Sequence, residues 1–437
     1  MLTRKEKRER EKNQNFFFDF VKIQNHFFKD LVDQLKKVKD KRHQSYITYG
    51  PETILYTILL KSVFGIKSMR SMTELFNKDE CIENIRVVLG LKELNELPHY
   101  DTINDFLAKL EPKELETIRI YLIKKLFEKR CLESFRILNK YWPIVFDGTG
   151  IHTFKEKHCE HCLRREYKDK ETGETKVVYM HHVLEAKLVV GDMVLSIATE
   201  FIENESENVP KQDCELKAFM RLVDKLKKTF KRLPICLIAD SLYACEPVFE
   251  ICDKHNWKYI FRFKEDRIKT VSQEFRAIQS LETNGKSSEY FWVNDIAYND
   301  RLVNLVEKVK VTENEKKQEF LFITNFRITE RNAEILVQAG RRRWKIENEG
   351  FNNQKNGWYE IEHVNCHNYN ALKNHYLLVQ IADILVQLYK YGSKLLKQLK
   401  KSAKEISSKL LEAIRTRIIT VEDLKKCKKI QVRFTYT

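Results

Sequence analysis

The sequence lacks the marks of secreted and membrane-embedded proteins. No apolar run reaches the roughly 20 residues that a helix needs to cross a bilayer. The first eight residues are charged and contain no apolar segment of the kind found in secretory signals. Ten cysteines in a chain without such a signal indicate a reducing compartment, where thiols are buried or bind metal. We therefore expect a cytoplasmic protein with no membrane association.

The chain also lacks internal repeats at the periods of solenoid proteins, and its acidic residues are outnumbered. It has 79 Lys and Arg against 63 Asp and Glu, a net charge of +16. This excess favours a polyanionic partner, nucleic acid first and an anionic membrane second, although a basic surface can also serve solubility alone. With 437 residues, 43% of them hydrophobic, the chain is large enough for two or three globular domains.

The two ends of the chain differ in character from its middle. Residues 1–135 are predicted to form a helical domain, because apolar residues recur at helical spacing within 16–35 and 54–63. This domain could bind DNA or be purely structural. Residues 393–437 are predicted to form a basic C-terminal tail, with 13 Lys and Arg against 4 Asp and Glu from Lys394 onward. Such a run is either an electrostatic arm or a solvated surface.

The middle of the chain, residues 136–392, has a β-rich pattern with helices between later strands. Its apolar runs predict five strands, at 142–146, 178–188, 193–199, 233–239 and 257–263. Two helices are expected, one capped by Asp213 and one at about 246–254, which gives the order β-β-β-α-β-α-β. A polar, β-rich insertion is expected at about 266–318. A strand at 320–324 and a helix opened by Thr329 follow it.

One later stretch carries charge where an ordinary helix carries an aliphatic stripe. If residues 343–355 form an α-helix, Arg343, Glu347, Phe351 and Lys355 share one face, because four residues nearly complete a turn. A carboxylate that holds a metal, flanked by cations that hold phosphate, would give this pattern. Salt-bridged pairs on a solvated helix are the alternative.

Three acids stand out as candidate metal ligands. Asp147 and Asp240 each follow a predicted buried strand, and Glu347 lies on the helix just described. Three converging carboxylates repel one another unless a cation neutralises them, and such hard oxygen ligands suit Mg²⁺ or Mn²⁺. Two such ions can support phosphodiester displacement by water or by a 3′-hydroxyl. Taken singly, each aspartate is also a common turn residue.

The chain resembles the DDE transposases of bacterial insertion sequences, in the group with a Tyr-Arg-Glu-Lys signature around the third acid. The resemblance covers roughly residues 90–390. It rests on Val-Phe-Asp-Gly-Thr at 145–149, Ala-Asp-Ser-Leu-Tyr at 239–243, and Arg-Trp-Lys-Ile-Glu at 343–347. It implies an α/β fold: an RNase H-like mixed sheet flanked by helices, with a β-rich insertion, preceded by the all-helical N-terminal domain. It also implies a bacterial protein, associated with the nucleoid when bound to DNA.

By this resemblance, Asp147, Asp240 and Glu347 hold the catalytic Mg²⁺ or Mn²⁺, and Arg343 and Lys355 contact DNA phosphate. The signature tyrosine and lysine would fall at 340 and 354, where this chain has Gly340 and Gln354. Glu349 competes with Glu347 as the third acid. The family's insertion can also supply an aromatic that stacks on an extruded base, for which Trp292 is the candidate, with a core tryptophan as the alternative.

A separate cysteine pair has half of a zinc-site spacing. Cys159 and Cys162 form a Cys-x2-Cys motif, and Cys214 or the pair His181 and His182 could complete a structural Zn²⁺ site through the fold. Free thiols in a loop are the alternative.

These features together predict a DNA transposase. We expect it to bind the ends of its insertion sequence as a homodimer on double-stranded DNA, and to catalyse metal-dependent cleavage and strand transfer. The resemblance implies a cut-and-paste pathway through a hairpin. An inactive, transposase-derived DNA-binding protein and a metal-dependent nuclease without strand transfer are the alternatives.

Overall fold

Helices flank one nine-stranded mixed sheet in the described part of this α/β protein. The structure is a computed structural model, and it describes residues 3–43, 45, 47–168, 173–206, 208–281, 289–311, 317–425, 432 and 434. None of the helices described there combines the length and apolar character that a bilayer crossing requires.

The strands of the sheet are β1 (Trp142–Phe154), β2 (Leu163–Lys168), β3 (Thr175–Val190), β4 (Met193–Ile202), β5 (Ile235–Ala239), β6 (Lys258–Arg262), β7 (Tyr290–Tyr298), β8 (Arg301–Val311) and β9 (Lys317–Thr324). They lie in the order β2-β3-β1-β5-β6-β9-β8-β7, and β4 also pairs with β3. Only β1 with β5 and β5 with β6 are parallel pairs. These three strands therefore run in the same direction, and β5 and β6 end at the edge of the sheet where β1 leaves β5 after Val145.

The helices are α1 (Arg4–Asn13), α2 (Phe16–Phe27), α3 (Leu31–Lys36), α4 (Pro51–Val63), α5 (Met69–Phe76), α6 (Asp79–Leu89), α7 (Tyr100–Lys109), α8 (Pro112–Glu128), α9 (Glu215–Thr229), α10 (Glu246–His255), α11 (Lys269–Leu281), α12 (Glu330–Arg341), α13 (Arg343–Lys345), α14 (Tyr369–Gly392), α15 (Lys394–Leu399), α16 (Ala403–Thr416) and α17 (Val421–Lys425). A π-helix, Ile346–Gly357, follows α13, and short 3₁₀ turns lie at Glu133–Phe135 and Ser241–Tyr243.

The long helix α14 is the centre of the helical packing. It is apolar on nearly all sides and begins at Asn368, whose side chain caps it by accepting a hydrogen bond from the Ala371 backbone amide at 3.0 Å. It packs against α2, α4, α7 and α8 on one side and against β4 on the other. A helix that is apolar all round must be buried on all sides. The helices of residues 16–128 and one face of the sheet therefore share one hydrophobic core, and the other face packs in a second cluster.

The middle of the chain agrees with the predicted strands and departs from the prediction in four details. The strand predicted to end at Asp147 continues to Phe154, paired with β3. The strand β2 was not predicted, nor was the helix α11 inside the insertion. Asp213 does not cap α9. Its carboxylate instead accepts hydrogen bonds from the Glu203 backbone amide and from Arg221. The insertion strands extend the main sheet through β9, which pairs with β6. Residues 282–288 and 312–316 of the predicted insertion lie outside the described residues.

The basic C-terminal segment is folded rather than free over residues 394–425. The helix α16 buries Ile406, Leu410 and Ile414 and packs against α2 and α6. Asn84, which is fully buried, donates hydrogen bonds to the carbonyls of Ile414 and Arg417 at 2.9 and 2.7 Å. This part of the predicted tail is therefore helical and packed on the N-terminal helices, and its electrostatic role stays a prediction. Residues 426–431, 433 and 435–437 of the predicted tail lie outside the described residues.

Candidate active site

Two aspartates meet at the carboxyl edge of the parallel strands. Pairing of β1 with β5 ends at Val145, so Asp147 lies just past the point where the two strands separate. Asp240 follows β5 directly and caps a 3₁₀ turn, its Oδ1 accepting a hydrogen bond from the Leu242 backbone amide at 2.8 Å. The Asp147 Oδ1 accepts one from the Gly148 amide at 3.1 Å.

Glu347 reaches this edge from the π-helix, which contacts both β1 and β4. The Glu347 carboxylate forms an ion pair with Arg343, one turn earlier. Arg343 and Glu347 both act on Asp147. The cation lowers the pKa of that carboxyl and the anion raises it. The three predicted acids and the predicted arginine are therefore neighbours.

Burial makes Asp147 the most perturbed acid of this group. It raises the pKa of Asp147 to about 7, and the charges of Glu347, Glu215 and Asp240 act in the same direction. A carboxyl that is disfavoured as an anion by burial and by three other acids gains most from a nearby cation. The oxygens do not form a ready single-ion cage. Among the described residues, only the cysteine–histidine cluster considered below brings three potential ligand atoms within 4.8 Å of one another.

A fourth acid, Glu215, belongs to the same site and was not predicted from the sequence. It is the first residue of α9, and its Oε1 accepts a hydrogen bond of 2.6 Å from the hydroxyl of the buried Tyr243. Burial and the charge of Asp240 raise the pKa of Glu215. A Cβ atom at Gly148 would lie 2.7 Å from the Glu215 Oε2, so a larger residue there would displace this carboxylate. Its distance along the chain from Asp147 hid it, and the glycine that follows Asp147 was the available signal.

Glu349, the competing third acid, belongs to a different environment. Lys345 lies between Asp192, at 2.7 Å, and Glu349, at 3.7 Å. The charge of Glu349 raises the pKa of Tyr391, at the end of α14. It is not among the acids with the largest effect on the pKa of Asp147, which are Glu347, Glu215 and Asp240.

The π-helix explains why the signature lysine is displaced by one residue. Gln354 is 1% exposed, and its amide donates to Gln380 at 3.0 Å and to Asp383 at 2.8 Å, both on α14. Hydrogen bonds from i to i+5 give somewhat more than four residues per turn, so about eight residues complete the two turns that seven complete in an α-helix. Lys355 therefore lies on the outer side of the π-helix, where residue 354 would lie in an α-helix. There it pairs with Glu362 at 2.8 Å.

The position of the signature tyrosine has an equally local explanation. A Cβ atom at Gly340 would lie 2.5 Å from the ring of Phe322, on a neighbouring element. The aromatic side chain that fills this space comes from β9 and not from α12. A tyrosine at 340 would require Phe322 to move.

A cavity of about 420 Å³ lies beside the Arg343–Glu347 pair. Trp344 is 64% exposed at its rim, while Trp292 is 6% exposed and packed among core residues of β8 and β9. The position of Trp292 agrees with the alternative of a core tryptophan. Trp344 was not predicted as a base-stacking residue. Three aromatic side chains, three cations and one acid line the cavity together with Gly340: Phe320, Phe322, Trp344, Arg262, Arg341, Arg343 and Glu319. Burial and the charge of Arg343 lower the pKa of Arg262, so an anion bound here would be stabilised.

The cysteine pair lies elsewhere, on the loop between β1 and β2. Cys159 and Cys162 are joined there by His181 of β3. Cys214 is exposed at the start of α9, and neither it nor His182 belongs to this cluster. Of the residues considered from the sequence, His181 is therefore the one that the fold brings to the pair.

Comparison with known proteins gives a match to a family along the sequence and matches to solved structures. The profile of a family described as transposase DDE domain, group 1, matches residues 28–431. No curated protein matches the chain. A solved structure described as the piggyBac transposase synaptic complex with hairpin DNA is similar at a TM-score of 0.43 and 10% identity, covering 94% of this chain and 81% of that one.

Proposed function

Since the chain belongs to the transposase DDE domain family, group 1, we propose that it moves its own mobile element by binding the element's ends, cutting them and joining them to target DNA. In the first step, water attacks the phosphorus at an element end and the 3′-oxygen leaves. In the second, the freed 3′-hydroxyl attacks a phosphodiester of the target. We propose an RNase H-like arrangement of the sheet and a homodimer, because two ends must be held together.

One observation carries this proposal: Asp147, Asp240, Glu215 and Glu347 surround one edge of the sheet with one cation, Arg343, paired among them. Carboxylates of this kind suit Mg²⁺ or Mn²⁺, and ions bound there would polarise the phosphate and lower the pKa of the attacking water. Asp147, Asp240 and Glu347 are the proposed ligands. Glu347 is preferred to Glu349 because Glu347 is among the acids that most raise the pKa of Asp147, whereas Glu349 lies beside Lys345.

We propose that Arg343 binds phosphate once a metal ion has taken its place beside Glu347. A cation bound by Glu347 would replace Arg343 as its partner and leave the guanidinium free. Arg343 also lines the neighbouring cavity, so the freed group would face a phosphate there. Lys355 is proposed as a further phosphate contact, and the exposed Trp344 as the surface on which an unpaired base stacks, in place of Trp292.

The proposal is tested by a cleavage assay on the element itself. Purified protein is incubated with a plasmid that carries this gene and its native flanking DNA, with Mg²⁺ or with EDTA. The expected result is a pair of Mg²⁺-dependent breaks at inverted sites flanking the gene, followed by joining to a second plasmid. Breaks without joining would instead identify a nuclease. Tight DNA binding without breaks in Mg²⁺ or Mn²⁺ would identify an inactive DNA-binding protein.

Substitutions in the same assay separate catalysis from binding. Asp147→Asn, Asp240→Asn and Glu347→Gln should abolish cleavage while affinity for the element ends stays near that of the unmodified protein. Asp105→Asn is the matched control, because Asp105 is an exposed aspartate on α7, to which none of the clustered acids belongs. Glu349→Gln should retain cleavage. If Glu349→Gln is inactive and Glu347→Gln is active, Glu349 is the third acid.

A further inference from the structure

The cluster of Cys159, Cys162 and His181 has the dimensions of a metal site. The two Sγ atoms are 3.6 Å apart, and each lies 3.2 Å from the His181 Nε2. Zinc bound tetrahedrally at 2.3 Å from sulfur and 2.0–2.1 Å from nitrogen would set these edges at about 3.8 Å and about 3.6 Å. The three atoms already form nearly such a triangular face. An S–S bond, at about 2.05 Å, is far shorter than the separation observed.

The surrounding residues hold this face in place. Asn204, at the end of β4, donates from its side-chain amide to the Cys162 carbonyl at 2.9 Å and from its backbone amide to the His161 carbonyl at 3.2 Å. His161 and the Asn204 carbonyl are 2.9 Å apart, and the Tyr369 ring stacks on His161 with ring centroids 4.7 Å apart. Ligands that are fixed by such outer contacts bind metal more tightly.

We propose that Cys159, Cys162 and His181 bind one structural Zn²⁺. This site is separate from the carboxylate edge, and its sulfur ligands select a softer ion than Mg²⁺. Among the described residues, the cluster has three members. His158, adjacent to Cys159, is the expected fourth ligand. Its Nε2 now lies 3.0 Å from the His367 carbonyl, and its ring centroid is 5.9 Å from that of His181. A water molecule is the alternative.

The location of the site indicates what the ion holds together. Strands β2 and β3 form an antiparallel ribbon whose exposed residues include four cations, Arg164, Arg165, Lys168 and Lys176, and one acid, Glu166, which pairs with Arg164. The zinc would fasten the loop that leads into this ribbon to β3. His182, next to the histidine ligand, has Arg165 and Lys355 as charged neighbours, so the ribbon begins beside the π-helix. A contact between this ribbon and DNA would rest on the proposed function. The metal site does not depend on that function.

Metal content of the full-length protein tests the site directly. Protein from zinc-supplemented cells is purified without chelator, and zinc is counted by mass spectrometry. We expect about one zinc per chain. Exchange with Co²⁺ should add the sulfur-to-metal charge-transfer band of a thiolate site. Cys159→Ser and Cys162→Ser should reduce zinc to below about a tenth of an equivalent, while Cys214→Ser, at the exposed cysteine, should retain it.

A second set of measurements covers the case in which a variant misfolds. Chelation and zinc re-addition on the unmodified protein should reversibly increase and decrease tryptic cleavage of the ribbon, with no change in overall circular dichroism. His158→Ala should weaken zinc affinity at least about tenfold if His158 is a ligand, and leave it unchanged if water is. Asp147→Asn should keep its zinc even though it cannot cleave DNA, which separates this site from the proposed catalysis. Zinc-free protein with a Cys159–Cys162 disulfide and no cobalt band would overturn the proposal.

Discussion

At the scale of single residues, the clustered carboxylates that are proposed to bind metal lower the stability of the metal-free protein. Burial and three acids raise the pKa of Asp147 from its ordinary value near 3.8 to about 7. A group whose pKa is raised on folding contributes stability that is complete below the unfolded value and is lost as pH rises through the folded value. Metal-free protein should therefore lose stability between about pH 4 and pH 7 on account of Asp147.

Asp147→Asn should therefore raise the melting temperature in EDTA at neutral pH. The rise in the pKa of Asp147 to about 7 corresponds to at most about 4 kcal/mol in the free energy of unfolding. We therefore expect the melting temperature to increase by a few degrees. The difference between the variant and the unmodified protein should grow from pH 5 to pH 8 and shrink when Mg²⁺ is added. Thermal unfolding at four pH values measures it. A difference that does not vary with pH would show that Asp147 is ionised at no cost.

Glu215 offers a second residue-scale prediction. Glu215→Gln keeps an oxygen that can accept the Tyr243 hydrogen bond and removes the charge that faces Asp240. If Glu215 helps to hold or orient the metal ligands, cleavage should fall between about 10-fold and 100-fold and require more Mg²⁺, while DNA affinity is kept. Steady-state cleavage across a Mg²⁺ titration tests this, with Glu349→Gln as the control. Normal cleavage at low Mg²⁺ would remove Glu215 from the site.

Substitutions of Trp344 and Trp292 should distinguish a residue that stacks on a base from one that packs in the core. Base stacking on an aromatic side chain contributes about 1–3 kcal/mol, so Trp344→Ala should weaken binding of element ends with unpaired bases by about 5-fold to 150-fold. Its melting temperature should not change, because the side chain is 64% exposed. Trp292→Ala should instead lower the melting temperature, because Trp292 is buried. Equal binding by Trp344→Ala and the unmodified protein would exclude stacking on Trp344.

At the scale of elements, the π-helix determines that residue 355 rather than residue 354 lies toward the surface. Lys355→Ala should weaken cleavage of element ends, and the double change Gln354→Lys with Lys355→Gln should not restore it. In that variant the lysine would be buried among Gln380 and Asp383 rather than exposed, and the fold should lose at least about 2 kcal/mol. Cleavage rates and urea unfolding measure both effects. Full activity of the double variant would show that α-helical register is restored when DNA binds.

The sequence predicted the strands that carry Asp147 and Asp240 because buried strands leave continuous apolar runs. It could not predict β2, whose residues are mostly charged and which is a strand only because β3 pairs with it. The π-helix was equally hidden. Its register depends on hydrogen bonds from Gln354 to a helix that begins 15 residues later, and local propensity does not encode such contacts. Glu215 was missed for the same reason, since only the fold brings it to Asp147.

At the scale of the whole molecule, the tail that looked like a charged arm is part of the core. Asn84→Ala would leave two carbonyls and the Ile419 amide without their partner in a buried place. We expect a loss of about 2–4 kcal/mol in the free energy of unfolding, seen by urea titration. Lys404 is an exposed charge on α16, and Lys404→Ala should change the free energy of unfolding by less than about 0.5 kcal/mol. If Lys404→Ala is the more damaging change, the segment acts through charge after all.

The central place of α14 has a consequence for how the protein is made. The helices α2, α4, α7 and α8 are synthesised first, but the helix on which they pack begins at residue 369. At about 5–20 residues per second, a ribosome needs roughly 20 to 75 s to reach it. During that time the nascent chain has the first half of its core without the second. Packing of the N-terminal helices is completed only after α14 has been made, so the period before it is when chaperones would be needed most.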